Sequence, residues 1–383
     1  MVSRRAVLTT GTASAVLLGL GGAWWAGTGP AQRAREPWRA AAAGFGDPRL
    51  DVLAYAILAP NAHNMQPWQI ALDDAKGFTL YCNPERLLPE TDPPARQLTI
   101  SFGCFLELCR MAAAESGLRA DVDLFPEGEP QPTLDARPIA RVSLVPDASV
   151  TPDPLFEGVL TRRTNRVPFD MARTVAEEDL AAIAAVGVPG VDLAGTAETS
   201  RVALLRQLAV DAWSVEWSTD ATRRESIEVM HIGKSAVDAA PYGLSVDDRF
   251  TSTMGILGVV TPESLDDPEA VAFRESYAYY EKACASATAF VWSTTSSNTR
   301  YHQIAAGRAW VRAQLIANAR GIAFHPLSQA LQEFPEMAQN YRRAHDLLAR
   351  EDGDTVQMLA RVGYAPEVGP SPRHPLESRI ITT

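Results

Sequence analysis

Long apolar runs are scarce in this chain of 383 residues. After the first 26 residues no stretch holds 18 consecutive apolar side chains, so the body of the chain offers no membrane-spanning helix. Cysteine is scarce as well. Cys82, Cys104, Cys109 and Cys284 include no Cys-x-x-Cys pair, which excludes a disulfide scaffold and a zinc ribbon. The histidines at 63, 231, 302, 325, 345 and 374 never fall at HxxxH or HExxH spacing, so no metal site is expected. No Gly-x-Ser-x-Gly occurs, which removes the α/β-hydrolase nucleophile elbow. No GxGxxG follows a strand, which removes a built-in dinucleotide-binding fold. Positive charge is in deficit: Lys+Arg 35 against Asp+Glu 46 gives −11, unsuited to a general nucleic-acid binder.

What is present is a globular composition. Hydrophobic residues make up 46% and charged residues 21%, enough for a sizeable core. The start reads as an address. Arg4-Arg5 is followed by Leu8 and by a weakly hydrophobic stretch from Ala13 to Ala26 that is too short to span a bilayer comfortably. This resembles a twin-arginine signal, whose export machinery carries folded passengers, often with a cofactor already loaded. An ordinary secretory signal or a tethering N-terminal helix remains open, since no clean small-x-small cleavage site stands out. The expected location is periplasmic or extracytoplasmic, with membrane tethering if the signal is retained.

Residues Gly27 to Pro37 read as a linker. A helix over Pro48–Leu58 is predicted from Asp47 as N-cap and Pro48 at the first position. Strands are predicted at Trp68–Leu72, Phe78–Cys82, Asp121–Phe125 and Ile139–Val145, with a long helix over Leu98–Ser116. In the second part, helices are expected at Pro154–Leu160, Ala176–Ala185, Thr199–Asp220, Ala270–Ala283 and Gln303–Arg320. Strands are expected at Thr288–Trp292, Ile322–His325 and Gln357–Val362. Arg223–Thr261 has no clear period. Gly103 to Gly117 and Gly307 to Gly321 each run from an opening to a closing glycine and lead into an extended segment. This is either a long internal repeat or two buried helices that merely end alike. Cys104 and Cys109 fall on an apolar helix face as packing residues, and Trp213 and Trp217 also read as packing.

Two segments carry candidate chemistry. Ala59-Pro60-Asn61-Ala62-His63-Asn64-Met65-Gln66-Pro67-Trp68 places amides and an imidazole between two stiffening prolines. A loop that caps a helix and satisfies its own backbone is the plain alternative. Thr161-Arg162-Arg163-Thr164-Asn165-Arg166 gathers three arginines in five residues. Guanidinium forks fit phosphate oxygens, and Arg162 and Arg166 would share a face if the segment were helical. A solvated or salt-bridged surface is the alternative.

Together these segments resemble the nitroreductase family of flavin enzymes. The Pro60 to Trp68 loop matches the family's Pro-Ser-x-x-Asn-x-Gln-Pro-Trp element, with Asn61 where serine is usual. Arg162-Arg163-Thr164-Asn165-Arg166 matches its Arg-Arg-Ser-x-Arg element, with Thr164 for serine. The Gly307 helix, Phe324 to Gln329, Arg361 to Tyr364 and Pro372 to Leu376 match its C-terminal half. The order differs, because the loop here precedes the arginine element by about a hundred residues. Ordinary members are homodimers with the flavin at the interface, so a fused dimer would explain the order, as in the tandem, Acg-like branch.

The resemblance implies an α+β, three-layer fold in which two half-units form a pseudo-dimer. It would comprise a signal and linker over 1–40, a first unit over 41–150 and a second over 151–383. It implies FMN, held by Arg162, Arg163, Thr164, Arg166 and Arg373 near the phosphate and ribityl. Asn61, Asn64 and Gln66 would reach the flavin from the other half, and Pro326, Leu327 and Ser328 would offer backbone N–H groups near N5. NAD(P)H would bind transiently as donor, and a small-molecule electron acceptor would follow. No catalytic side chain is nominated. A monomeric pseudo-dimer that stores FMN with little turnover is the alternative function.

Overall fold

The computed structural model describes residues 27–73 and 76–382. The double-arginine start and the apolar stretch after it therefore lie outside the described residues. The first helices are α1 (Pro37–Ala43) and α2 (Pro48–Ala56). Asp47 starts α2 as expected, its carboxylate accepting the Arg49 N–H at 2.9 Å ahead of Pro48. The segment before α1 is no free linker. Ala31 N–H donates to Asp247 at 2.7 Å and Ala34 N–H to Asp238 at 2.9 Å, which ties it to residues two hundred positions away.

Two sheets follow, and they repeat one plan. The first half contributes β1 (Trp68–Leu72), β2 (Gly77–Cys82), α3 (Arg96–Glu115), β3 (Leu118–Leu124) and β4 (Ala140–Pro146). The second contributes α4 (Glu177–Ala184), β5 (Asp192–Thr196), β8 (Ala289–Thr295), α11 (Arg300–Ala319), β9 (Ala323–Pro326) and β10 (Thr355–Gly363). Four strands of the first sheet run β1-β2-β4-β3 and the second sheet runs β5-β8-β10-β9, with every pairing within these two sets of four antiparallel. The order is the same once β5 is matched to β1. Both long helices have 20 residues, begin with a buried arginine and end before a glycine near φ +66°. That left-handed closing residue releases the chain into the next strand, the usual task of a glycine there.

The helices α3 and α11 cross at Gly103 and Gly307. A Cβ on Gly103 would fall onto the Ile304 carbonyl oxygen and within 2.9 Å of Gly307 Cα. A Cβ on Gly307 would fall onto the Ile100 carbonyl oxygen and within 2.8 Å of Gly103 Cα. Each helix therefore buries its glycine against the other's backbone. The same crossing carries Glu107, buried mid-helix, which accepts from Arg110, Arg308 and Arg312 at 2.7 to 3.0 Å. One continuous apolar core takes side chains from both helices and both sheets, including Trp68, Phe105, Trp310 and Phe324. Cys104 and Cys109 are buried in it, as expected.

The two halves differ in what joins their first two strands. β1 and β2 are linked by a short turn. Between β5 and β8 lies an insertion of nearly a hundred residues: α5 (Thr199–Ser218), α6 (Asp220–Glu228), β6 (Met230–Ile232), α7 (Lys234–Ala239), β7 (Leu244–Val246), α8 (Arg249–Ile256), α9 (Pro262–Asp266) and α10 (Val271–Ala285). The aperiodic stretch of the sequence is this run of short pieces, each too brief to print a period. Trp213 and Trp217 of α5 pack at 5.0 Å from each other in a second core with α12 (Ala338–Leu348) and the other face of the second sheet. The tail returns to the first half, where β11 (Ile380–Ile381) pairs parallel with β1. A cut at 150/151 thus leaves the last strand of the first sheet in the second segment.

Candidate functional site

The Pro60 to Trp68 loop leaves α2 and enters β1. His63, Asn64 and Gln66 all adopt left-handed backbone, with φ of 44°, 56° and 50°. Three such residues in one loop are costly, so the surroundings must hold them. The loop's amides do that. Asn61 donates to Ala59 O and accepts the Gln66 N–H at 2.8 Å. Gln66 donates to Asn64 O and Pro241 O and accepts the His374 N–H at 2.9 Å. Asn64 donates to Pro372 O and accepts from Arg373 at 2.6 Å. Asn61, Asn64 and Gln66 therefore shape the loop and fasten it to the tail and the insertion. Their side-chain hydrogen bonds go to protein groups.

The arginine element is extended rather than helical, so Arg162 and Arg166 point to different surroundings. Arg162 is buried. It donates to Gln314 Oε1 at 3.0 Å and to Leu58 O at 3.1 Å, while its Nε is buried with no partner. Thr164 is held by the same Gln314, whose Nε2 lies 3.4 Å from Thr164 Oγ1. Arg163 is half-buried and bonds the Leu160 and Arg162 carbonyls through one nitrogen. Arg373 is buried beside them. Its N–H groups go to Ile57 O, Leu58 O, Ala59 O, Pro372 O and Asn64 Oδ1, which uses all five donors. Arg373 thus ties the carbonyls just after α2 to the tail and lends its charge to the cluster, with all five N–H groups engaged by protein acceptors.

Trp38 of α1 sits at the centre of this cluster. The guanidinium carbons of Arg163, Arg373 and Arg162 lie 4.9, 5.5 and 5.9 Å from its ring centroid. Its Nε1 donates to Ser371 O at 2.8 Å. Sequence reading passed over Trp38, because it stands next to the supposed linker. Among the described residues none of the three arginines has a carboxylate ion pair. Burial, and then the neighbouring Arg163 charge, push Arg162 down to about 10. Burial and the charges of Arg162 and Arg163 push Arg373 well below its ordinary value. Buried like charges are costly unless an anion joins them. The orphaned Arg162 Nε and the absence of a carboxylate both fit a phosphate at this place.

The turn 326–328 lies across from the loop. The Asn165 N–H bonds Phe324 O at 3.0 Å, which lays the arginine element along β9. Of the three nominated residues, Pro326 has no N–H and Leu327 N–H is taken by Leu359 O at 2.8 Å. Ser328 N–H alone remains for a ligand. Arg166, exposed, lies between the two sides, since its charge is felt by His63, His325 and Tyr280. His63 is half-buried with a buried, unpartnered Nδ1, and burial with the Arg166 charge lowers it to about 4, so it is neutral at pH 7.

Behind the turn runs a polar chain whose members, none of them nominated as a site residue by sequence reading, come from five separate elements. Arg361 Nε donates to His325 Nδ1 at 2.9 Å, which leaves the proton of the neutral imidazole on Nε2. His325 Nε2 lies 3.5 Å from Tyr280 Oη, and Gln329 Nε2 donates to that oxygen at 3.0 Å. Burial raises the Tyr280 hydroxyl well above its ordinary range. Glu216 of α5 lies beside Gln329 and Gln332, with one carboxyl oxygen buried and unpartnered, and burial lifts it to about 7. Its folded value exceeds its unfolded one, so the folded chain binds this proton more tightly. The associated stability is fully present below about pH 4.3 and is lost as pH rises through about 7, a change on the order of 3 kcal/mol. Glu216→Gln is expected to flatten that part of the stability–pH curve and to stabilise the chain at pH 8, as read by thermal unfolding across the pH range.

No family model matches the chain. Among curated proteins, "Putative NAD(P)H nitroreductase Rv3131" of Mycobacterium tuberculosis is 28% identical over 344 residues, which covers 86% of this chain and 90% of that protein. The chain is thus similar over most of its length to a protein described as a putative NAD(P)H nitroreductase. "Putative NAD(P)H nitroreductase acg" of the same organism is 32% identical over 116 residues, 30% of this chain and 33% of that protein. Rv3127, described as an uncharacterized protein, is 26% identical over 343 residues and covers 84% of this chain and 90% of its own length. Among solved structures, the FMN and NADPH-dependent nitroreductase NfnB from Sphigopyxis sp. strain HMH aligns with 60% of this chain and 99% of its own. That alignment has 18% identity and a TM-score of 0.37, too low for a residue-by-residue superposition.

Proposed function

We propose that this nitroreductase relative is an FMN-binding oxidoreductase that passes two electrons to a nitro-, quinone- or enone-type acceptor, with NAD(P)H as a transient donor. The observation that carries the reading is the buried arginine cluster with no carboxylate, where Arg162 keeps an unpartnered Nε inside the protein. Arg162, Arg163 and Thr164 would hold the phosphate, with Arg373 supplying charge from behind. Bound FMN would supply reversible two-electron chemistry that no side chain offers. Ser328 N–H would donate toward the ring, and a preorganised donor costs no rearrangement when charge develops. The Tyr280 hydroxyl keeps a proton at neutral pH and is supported by Gln329 and His325, so it can deliver that proton to an acceptor.

The reading extends to organisation. The repeated strand order and the reciprocal glycines support a dimer fused into one chain, with one complete site and one degenerate one. Twin-arginine export, a periplasmic location and a monomeric pseudo-dimer belong to the same proposal. The purified full chain is expected to be yellow, with about one FMN per chain, and to bleach on anaerobic mixing with NADH or NADPH. A colourless protein that FMN cannot reconstitute would overturn it.

A storage protein with little turnover is the second reading. It is favoured by the cover over the loop, where the insertion's Gly243 N–H and Pro241 O bond Asn64 and Gln66 and Trp38 lies on the arginines. A yellow protein that no nicotinamide bleaches would support storage.

A further inference from the structure

We propose that α8 and the turn after it form a membrane-contacting surface, which lays the protein on a bilayer rich in anionic headgroups. Of the eight residues of α8 only Ser252 is buried. Phe250 is 73% exposed, Ile256 70%, Leu257 65% and Val259 45%. Ten large apolar side chains are exposed among the described residues, and four of them fall in these ten positions. Phe250 and Leu257 are two helical turns apart and share a face. The turn is firmly closed: Gly258 N–H bonds Gly255 O at 3.0 Å and Val259 N–H bonds Met254 O at 2.9 Å. Asp248 caps the other end through Thr251 N–H at 2.9 Å. The chain thus builds a defined scaffold whose apolar side faces out. Clustered exposure of this kind marks a surface that meets a partner.

The path of the chain identifies the partner. Arg249, the first residue of α8, donates to Thr28 O and Thr28 Oγ1 at 3.2 Å, and its side chain lies against Gly29. The described chain therefore starts alongside α8, and the sequence just before it is the apolar run Ala13–Ala26. A bilayer that receives that run is brought against Phe250 and the 256–259 turn. The charges agree. Arg33, Lys234 and Asp238 line one hollow beside this point, with Arg249 close by, which is a local excess of positive charge in a chain whose net charge is −11. Three of the acidic groups here have partners within the protein, while Asp248 caps α8 and is itself exposed. Asp247 takes Arg35 and the Ala31 N–H, Asp238 takes the Ala34 N–H, and Glu36 pairs with Arg39. Cations at headgroup level around an apolar wedge are the pattern of an interfacial helix. This inference stands on the surface alone and is independent of the flavin reading.

The test uses the full chain with Leu257→Cys carrying an environment-sensitive fluorophore; the four native cysteines are buried. Mixing with phosphatidylcholine–phosphatidylglycerol vesicles is expected to shift its emission to the blue, with a smaller shift on phosphatidylcholine alone. Phe250→Asp/Leu257→Asp is expected to lower the vesicle-bound fraction at limiting lipid at least about ten-fold, since it places two charges in the wedge. A protein that floats with vesicles while the probe keeps its aqueous emission would show that the N-terminal run anchors alone, and would overturn the proposal. So would a blue shift that depends on protein concentration without vesicles, which would identify a second copy as the occupant. Flavin content is read in parallel, and its loss in the wild type would bear on the flavin reading only.

Discussion

Arg162→Ala is expected to weaken FMN retention about a hundred-fold or more, because a charged donor buried against a phosphate contributes roughly 3 kcal/mol. Flavin fluorescence on dilution measures it. The argument rests on what the other nitrogens do. Leu58 O and Gln314 hold the guanidinium plane in place and leave Nε and the outer N–H groups for an anion. Lysine at this position is not expected to rescue, because a point charge cannot bridge the same two anchors and still present a fork. Arg373→Ala is expected to behave differently. Its five donors hold the end of α2, the tail and Asn64, so its loss lowers the melting temperature along with flavin binding. Unchanged flavin affinity in Arg162→Ala would remove the phosphate assignment.

Gly307→Ala is expected to cost roughly 3 kcal/mol or more and to lower the melting temperature by over about 5 °C. The new methyl would meet the Ile100 carbonyl and Gly103 Cα, which are backbone atoms of a packed helix and cannot swing aside. Gly103→Ala is expected to match it, since the crossing is reciprocal. Gly117→Ala supplies the contrast. A Cβ there meets nothing within 4 Å, so the cost is limited to the positive φ of the helix end, about 1 kcal/mol. Calorimetry on the three variants separates the two effects. Equal losses at Gly307 and Gly117 would mean that the helix crossing is not the tight joint described.

Much of the local structure was legible because its signals are local. Asp47-Pro48 started a helix where expected, Gly117 and Gly321 ended two, and the alternation around Trp68 to Cys82 marked a hairpin. The similar glycine-bounded segments pointed to a pair, and they are the two helices that cross. The candidate site was legible only in part. Its residues were named from two segments, but the sequence gives no sign of which nitrogens are already engaged. Asn61, Asn64, Gln66 and Arg373 look like ligands in one dimension, and the fold shows that each also braces the loop or the tail. Trp38 and Tyr280 stayed invisible because each comes from a distant element with no motif of its own, and His325 lay in a quoted segment with nothing local to mark its partners.

The amino-acid order by itself determined many of the helix and strand positions and nominated the arginine element as a place for an anion. Those follow from capping, periodicity and residue chemistry, which act over a few positions. The tertiary structure decided the rest. Burial and hydrogen-bond satisfaction depend on groups hundreds of positions apart, such as Ile57 with Arg373 or Ala31 with Asp247. Only packing could make Arg162 a buried cation with a spare donor, engage every donor of Arg373, and leave the four apolar side chains beyond Asp248 clustered and exposed.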